Sequence, residues 1–239
     1  MSTVVRFPVG DDRPIELTSG VDRNVLLDFD GPICRVFAHH PAENVAKALK
    51  EQMRSYAPLA PAIEAFDDPH ALLAVVASDP SAYAPGLAVE LDQLLAEEEV
   101  TAAASAVMTE GLTPVVRSWR EQGIRLGVVT NNTEAAVRVF LRAAGLLEAF
   151  DGPIIGRPGD ARLMKPSGHM LRLAMNRLGT SPEGCVFVGD SWRDARAARS
   201  VGMRFVGYSR DEERKRVELS SEGVGTVISH MAELEGMKW

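Results

Sequence analysis

The sequence predicts an α/β fold: a doubly wound, Rossmann-like parallel sheet with a small helical unit inserted after the first strand. Three observations carry this expectation. Short apolar, β-branched runs recur along the chain, each stopping at Gly, Asp, Asn or Thr. Segments of helical character separate the later runs and end at glycine. One long interval, residues 36–108, is rich in Ala, Leu and Glu and holds no convincing strand. Runs that are apolar on both faces suit strands of a parallel sheet covered by helices on both sides. Strand and helix in alternation then give the doubly wound class.

Taken in chain order, the first strand is read at Val25–Phe29. Helical segments follow at Pro41–Tyr56, Pro69–Ala77 and Pro85–Met108, with Pro-rich joints around 58–61 and 80–85. A helix at Pro114–Gln122 leads into the second strand, Arg125–Thr130, which stops at Asn131-Asn132. Thr133–Ala144 is the next helix, and Gly152–Ile155 a weaker strand. Gly168–Leu178, Cys185–Gly189, Ser191–Ser200 and Met203–Gly207 continue the alternation. Gly123, Gly145, Gly179 and Gly202 mark the helix ends. The expected division is a core at 21–35 and 109–239, a helical unit at 36–108 and an N-terminal extension at 1–20, with a short edge strand at Val4–Val9. The charged stretch Arg210–Arg216 reads as a solvated face.

Composition narrows the function classes. The 239 residues are 46% hydrophobic and 25% charged, in the range of folded soluble domains. With 26 basic against 33 acidic residues, a net charge of -7 lacks the footprint of a nucleic-acid binder. No apolar run approaches the ~18–20 residues of a membrane helix. The N-terminus lacks the basic-then-apolar layout of a signal peptide, and Cys34 and Cys185 have no CxxC spacing. Reduced, buried cysteines in a cytoplasmic protein, monomeric or homodimeric, are expected.

Four features fall at the ends of expected strands: Asp28-Phe29-Asp30-Gly31, Thr130-Asn131, Lys165-Pro166 and Gly189-Asp190-Ser191 with Asp194 one turn on. Singly, each has a plain structural reading. DxDG suits a turn, Thr130 suits a cap for the helix at Glu134, Lys165 suits the surface, and Asp190 with Asp194 suits a cap plus an exposed position. Together they read differently. Side chains two apart on a strand share a side, so Asp28 and Asp30 bring two carboxylates to one place. Ionised acids gathered there repel one another unless a cation joins them. A divalent ion plus Lys165 supplies that charge, and Mg²⁺ bridges carboxylates to substrate phosphates. Thr130 and nearby amides are suited to donate to phosphoryl oxygens. The set reads as a metal–phosphate site.

In this order the features resemble the four motifs of the haloacid dehalogenase-like hydrolase superfamily. The likeness runs from residue 25 to about 206. Gly111-Leu112-Thr113-Pro114-Val115-Val116 and the helical insertion resemble the phosphoglycolate phosphatase-like branch with its alpha-helical cap; Pro32 departs from the commoner Thr or Val after DxDG. The resemblance implies a Mg²⁺-dependent phosphatase acting on a small phosphorylated metabolite. By it, Asp28 is the nucleophile that forms an aspartyl-phosphate, and Asp30 the acid and then the base. Thr130 and the amide of Asn131 bind phosphoryl oxygens, and Lys165 neutralises charge. Asp28, Asp190 and the backbone carbonyl of Asp30 ligate Mg²⁺, with Asp194 a ligand or a support. A phosphomutase of the same superfamily and a non-catalytic phosphometabolite-binding protein are the alternatives. His39, His40, Arg157 and Arg162 read as linker or surface residues rather than substrate contacts, and Lys47 and Lys50 as solvated.

Overall fold

Alternation of apolar side chains along the central strands explains why helices cover both faces of the sheet. In the computed structural model, residues 23–210, 212–235 and 237 are described. The expected strand at Val4–Val9 lies outside them. The strands are β1 (Asn24–Leu27), β2 (Cys34–Arg35), β3 (Val107–Met108), β4 (Arg125–Val129), β5 (Ile154–Ile155), β6 (Cys185–Gly189), β7 (Arg204–Tyr208) and β8 (Val227–Ile228). The helices are α1 (Ala42–Arg54), α2 (Pro61–Glu64), α3 (Pro69–Ser78), α4 (Leu87–Ala104), α5 (Leu112–Glu121), α6 (Glu134–Ala143), α7 (His169–Leu178), α8 (Trp192–Ser200) and α9 (Glu213–Ser221).

Among the described residues, six strands form one parallel sheet in the order β5-β4-β1-β6-β7-β8. On one face Val25, Leu27, Val128, Val186 and Val188 pack with Trp119 of α5 and Phe140 of α6. On the other, Leu26, Val129 and Phe187 pack with Met170 and Leu171 of α7 and Ala197 and Ala198 of α8. Neighbouring residues thus enter opposite cores, as the period of two requires. The chain adds strands to one side of β1 and then to the other. The crevice at such a switch point, beyond the carboxyl ends of the strands, is where doubly wound sheets bind ligands.

Helices α1, α3 and α4 enclose a third apolar cluster around Leu49, Leu72, Leu73, Leu91 and Leu95. Their chain leaves and re-enters the sheet through a two-stranded antiparallel ribbon, β2 with β3. The sequence reading held no strand here. A ribbon of two residue pairs is too short for period-two patterning to show, and the helix expected to reach Met108 ends at Ala104. Two elements past Gly207 also go beyond expectation: β8, only two residues long, and α9. The stretch read as a solvated face is partly helix, and side chains within it are engaged: Lys215 with Asp190, Arg216 with Ser229 and Arg210 with Glu212. No described helix is long and apolar enough to cross a membrane.

Candidate active site

Three adjacent strands, β4, β1 and β6, end at the same edge of the sheet and release Thr130, Asp28 and Asp190 there. Lys165 arrives from the loop before α7. All four line a cavity of about 500 Å³ between the sheet edge and the helices inserted after β1, and Asp30 and Asn131 line it too.

Asp28 and Asp30 do not lie on the strand, as expected, but just past it. Pairing ends at Leu27, although the Asp28 N–H still donates to the Val188 carbonyl at 2.8 Å. The chain then turns, because Gly31 takes φ 103 and the Asp30 carboxylate accepts the Val36 N–H at 2.9 Å. A side chain at Gly31 is excluded twice over, by that φ and because its Cβ would run into the Asp190 carboxylate. Gly189 gives similar room, since a Cβ there would sit 2.6 Å from the Asp194 side chain.

Lys165 is the centre of charge. Its buried Nζ lies 2.9 Å from Asp28 Oδ1 and 2.6 Å from Asp194 Oδ1, and donates to the Val129 carbonyl at 3.1 Å. A surface role is therefore excluded. Asn131 fixes its backbone from both sides: Lys165 N–H donates to Asn131 Oδ1 at 2.9 Å, and Asn131 Nδ2 to the Lys165 carbonyl at 3.1 Å. Asp194 has no exposed surface. Its Oδ2 accepts from the Asp190 and Ser191 N–H groups and the Ser191 hydroxyl at 3.2, 3.1 and 2.6 Å, closing a capping box on α8. Thr130 does not cap the following helix. Its buried hydroxyl exchanges hydrogen bonds with Asn132 at 3.2 Å, while Thr133 is the cap, accepting from the Ala136 N–H at 3.3 Å.

The charges at this edge do not balance. Asp28, Asp190 and Asp194 present carboxylate oxygens within 4.8 Å of one another, and Asp30 adds a fourth acid beside them. Against them stand Lys165 and Lys215, the latter paired to Asp190. Burial pushes the Asp28 carboxyl up to about 7; Lys165 opposes that rise, and Asp194 and Asp190 reinforce it. Burial likewise lifts Asp190 to about 6, against Lys215. Asp30 is raised too, by burial first and the Asp28 charge after it. Burial disfavours the charged form of Lys165, but Asp194 and Asp28 outweigh it and hold the ammonium above its ordinary value. Crowded buried acids with an all-oxygen donor set fit a hard divalent cation.

The sequence profile of haloacid dehalogenase-like hydrolases matches residues 23–202. The chain belongs to that family. Haloacid dehalogenase-like relatives include a phosphoglycolate phosphatase of Nitrosospira multiformis, 35% identical over 48% of this chain and 50% of its own length. The pyrophosphatase PpaX of Halalkalibacterium halodurans is 33% identical over 42% of this chain and 46% of its own. A phosphoglycolate phosphatase of Cereibacter sphaeroides is 32% identical over 61% and 64%. The matched region spans about half the length of these curated relatives. Among solved structures, CbbY from Rhodobacter sphaeroides in complex with phosphate superposes with a TM-score of 0.63 at 22% identity, covering 89% of this chain and 96% of that one. The fold is that of the family.

Several residues around the cavity escaped the sequence reading. His70 and Arg193 line it, and Asp68 joins them, pairing with Arg193 at 2.8 Å while capping α3 through the N–H groups of His70 and Ala71. Arg157, read as a surface residue, is buried and pairs with Asp92 and Glu99 at 2.5 and 2.6 Å. Lys50, read as solvated, is buried because its ammonium reaches the Glu64 and Phe66 carbonyls at 3.0 Å and caps the end of α2. Lys47 and His39 are exposed, His40 pairs with Glu98, and Arg162 pairs with Asp160 at the surface, as expected of solvated positions. Both cysteines are free and buried.

Proposed function

We propose that the chain is a Mg²⁺-dependent phosphatase that removes the phosphoryl group of a small phosphorylated metabolite through an aspartyl-phosphate on Asp28. The observation that carries this reading is the excess of buried carboxylate beside a cavity, facing a lysine already fixed between Asp28 and Asp194. The names of the relatives, phosphoglycolate phosphatase and pyrophosphatase, support the same class. Relatives named as phosphatases also favour this reading over the phosphomutase and the non-catalytic binder.

Asp28 attacks phosphorus through a carboxylate oxygen, and the bond from phosphorus to the leaving oxygen breaks. Asp30, whose carboxyl burial raises above its ordinary value, gives a proton to that oxygen as it departs. Asp30 then takes a proton from water, whose oxygen attacks phosphorus and breaks the bond to Asp28. Inorganic phosphate leaves and both acids return to their starting states. Thr130 and the Asn131 amide hold phosphoryl oxygens, and Lys165 offsets the charge shared by Asp28 and the phosphoryl group. Asp28, Asp190 and the Asp30 carbonyl would hold Mg²⁺, which supplies positive charge to the phosphoryl oxygens when bound. Asp194 supports them, since both of its oxygens are engaged by Lys165 and by N–H and O–H donors. The helices of residues 36–108 act as the cap that selects the leaving group. Turnover of p-nitrophenyl phosphate and a panel of phosphorylated metabolites is expected with Mg²⁺ and lost in chelator. No turnover of any ester with Mg²⁺ present would contradict the proposal.

A further inference from the structure

The proposed chemistry makes no use of Glu99, yet this carboxylate has no exposed surface. It stands on α4 in a row spaced by four residues, with Leu91, Leu95 and Ala103 as buried neighbours. Its oxygens are fully engaged. Oε1 meets His70 Nε2 at 2.8 Å, Arg157 Nη1 at 2.6 Å and Asn132 Nδ2 at 3.2 Å, and Oε2 accepts the Thr133 N–H at 2.8 Å. Arg157 reinforces the same junction by donating to the Asn131 carbonyl at 3.0 Å from Nη1 and to the Asn132 carbonyl at 2.8 Å from its N–H.

These partners fall on two sides of the cavity. Asn132 and Thr133 follow Thr130 and Asn131 in the loop assigned to the phosphoryl group. His70 opens α3 in the helical layer and lines the cavity. Its Nε2 is held by Glu99, and Nδ1, 3.8 Å from Asp68 Oδ1, lies beyond hydrogen-bond distance of that partner. His70 lines the same cavity as Asp30, the residue assigned to the leaving oxygen.

We propose that Glu99 is a positioning residue that sets two contacts at once: the phosphate loop, through Asn132 and Thr133, and the leaving-group contact, through His70. The proposal deepens the phosphatase reading and rests on it. One buried carboxylate then makes the grip on phosphate and the grip on the organic part interdependent. A carboxylate that only fastened α4 to the sheet would alter stability and leave both grips unchanged.

The test measures inorganic phosphate affinity by calorimetry, together with kcat/KM for a series of phosphate esters, in wild type, Glu99→Gln and His70→Gln. Folding of each variant is checked by circular dichroism and urea unfolding. Hydrogen bonds to a charged group are worth roughly tenfold or more each. Glu99→Gln is expected to weaken phosphate binding at least about tenfold and to lower kcat/KM for every ester. His70→Gln, which leaves the Glu99–Arg157 pair in place, is expected to keep phosphate affinity within about twofold and lower kcat/KM at least about tenfold for esters with extended leaving groups. A folded Glu99→Gln with wild-type phosphate affinity overturns the proposal. If Glu99→Gln does not fold, His70→Gln decides, and an unchanged kcat/KM overturns it. A wild-type chain that binds phosphate but turns over no ester contradicts the phosphatase reading alone, because the phosphate comparison still tests Glu99. Failure of wild type to bind phosphate removes both.

Discussion

Two groups of buried charge, joined by the loop after β4, meet burial in opposite ways. At the sheet edge Asp28, Asp30, Asp190 and Asp194 outnumber the lysines beside them, and Asp28, Asp30 and Asp190 are raised as burial favours their protonated forms. Around Glu99 the charges are matched. Burial pushes that carboxyl up, but the hydrogen bond and charge of His70, with Arg157, outweigh it and leave the group below its ordinary value. A fold does not ordinarily gather acids without partners, since an uncompensated buried charge is costly. The matched group reads as architecture that positions its neighbours. The unmatched one is the site proposed to hold a cation and a phosphate.

The largest effects should come from the unmatched group. Asp28→Asn removes the proposed nucleophile, and turnover is expected to fall at least about 10⁴-fold for aryl and alkyl esters alike. Asp30→Asn should cost about 10²–10⁴-fold with an alkyl phosphate, whose leaving alkoxide needs a proton, and much less with a nitrophenyl phosphate. Single-turnover release of the leaving group reads this step apart from the later hydrolysis. Equal slowing of both esters would remove Asp30 as the acid.

In the matched group the large effect should be on stability. Arg157→Ala leaves Glu99 buried without its guanidinium partner, at a cost of about 3–5 kcal/mol in urea unfolding. Asp190→Asn in metal-free protein at pH 8 should cost far less, because it relieves a crowded acid. Similar losses from the two variants would erase the contrast.

The two groups should also differ in their response to pH. Folded Asp28 and Asp190 hold their protons up to about 7 and about 6, against ordinary values of 3.8. Between pH 4 and 7 the folded chain therefore binds more protons than the unfolded one, so stability falls as pH rises through this window and levels off above it. Glu99, lowered instead, contributes stability that is present above its unfolded value and lost only as pH falls through its folded one. In chelator, the Tm should decline from pH 5 to pH 8, and less steeply in Asp190→Asn. A Tm that rises across this range would contradict the assignment.

The smallest effect separates two threonines of the loop after β4. Thr133→Ala removes the cap of α6 and should cost about 1 kcal/mol with kcat/KM little changed. Thr130→Ala should do the reverse, lowering kcat/KM. Equal effects on turnover would place both in one role.

How these residues came to be legible, or not, follows from the range of the forces involved. Strands β1, β4 and β6 were readable because each buries both faces and so spells an apolar run, and the acids and Lys165 stand where those runs or their loops end. The ribbon β2–β3 and strand β8 are too short for any period to register. Lys215, His70 and Arg157 were unreadable because their partners lie 25, 29 and 58 residues away, and local patterning carries nothing of that pairing. Glu99 did leave a signal: an acid in the Leu91, Leu95 row of α4 breaks an otherwise apolar stripe.

The most direct test of the unmatched site counts the protons released as Mg²⁺ binds near pH 6.5, by calorimetry in buffers of differing ionisation enthalpy. A cation that takes its place among carboxylates must displace the protons they hold. With Asp28 near 7 and Asp190 near 6, wild type is expected to release about one proton per ion, and Asp190→Asn to bind Mg²⁺ far more weakly. Mg²⁺ binding with no proton release, or no binding in wild type, would contradict the account.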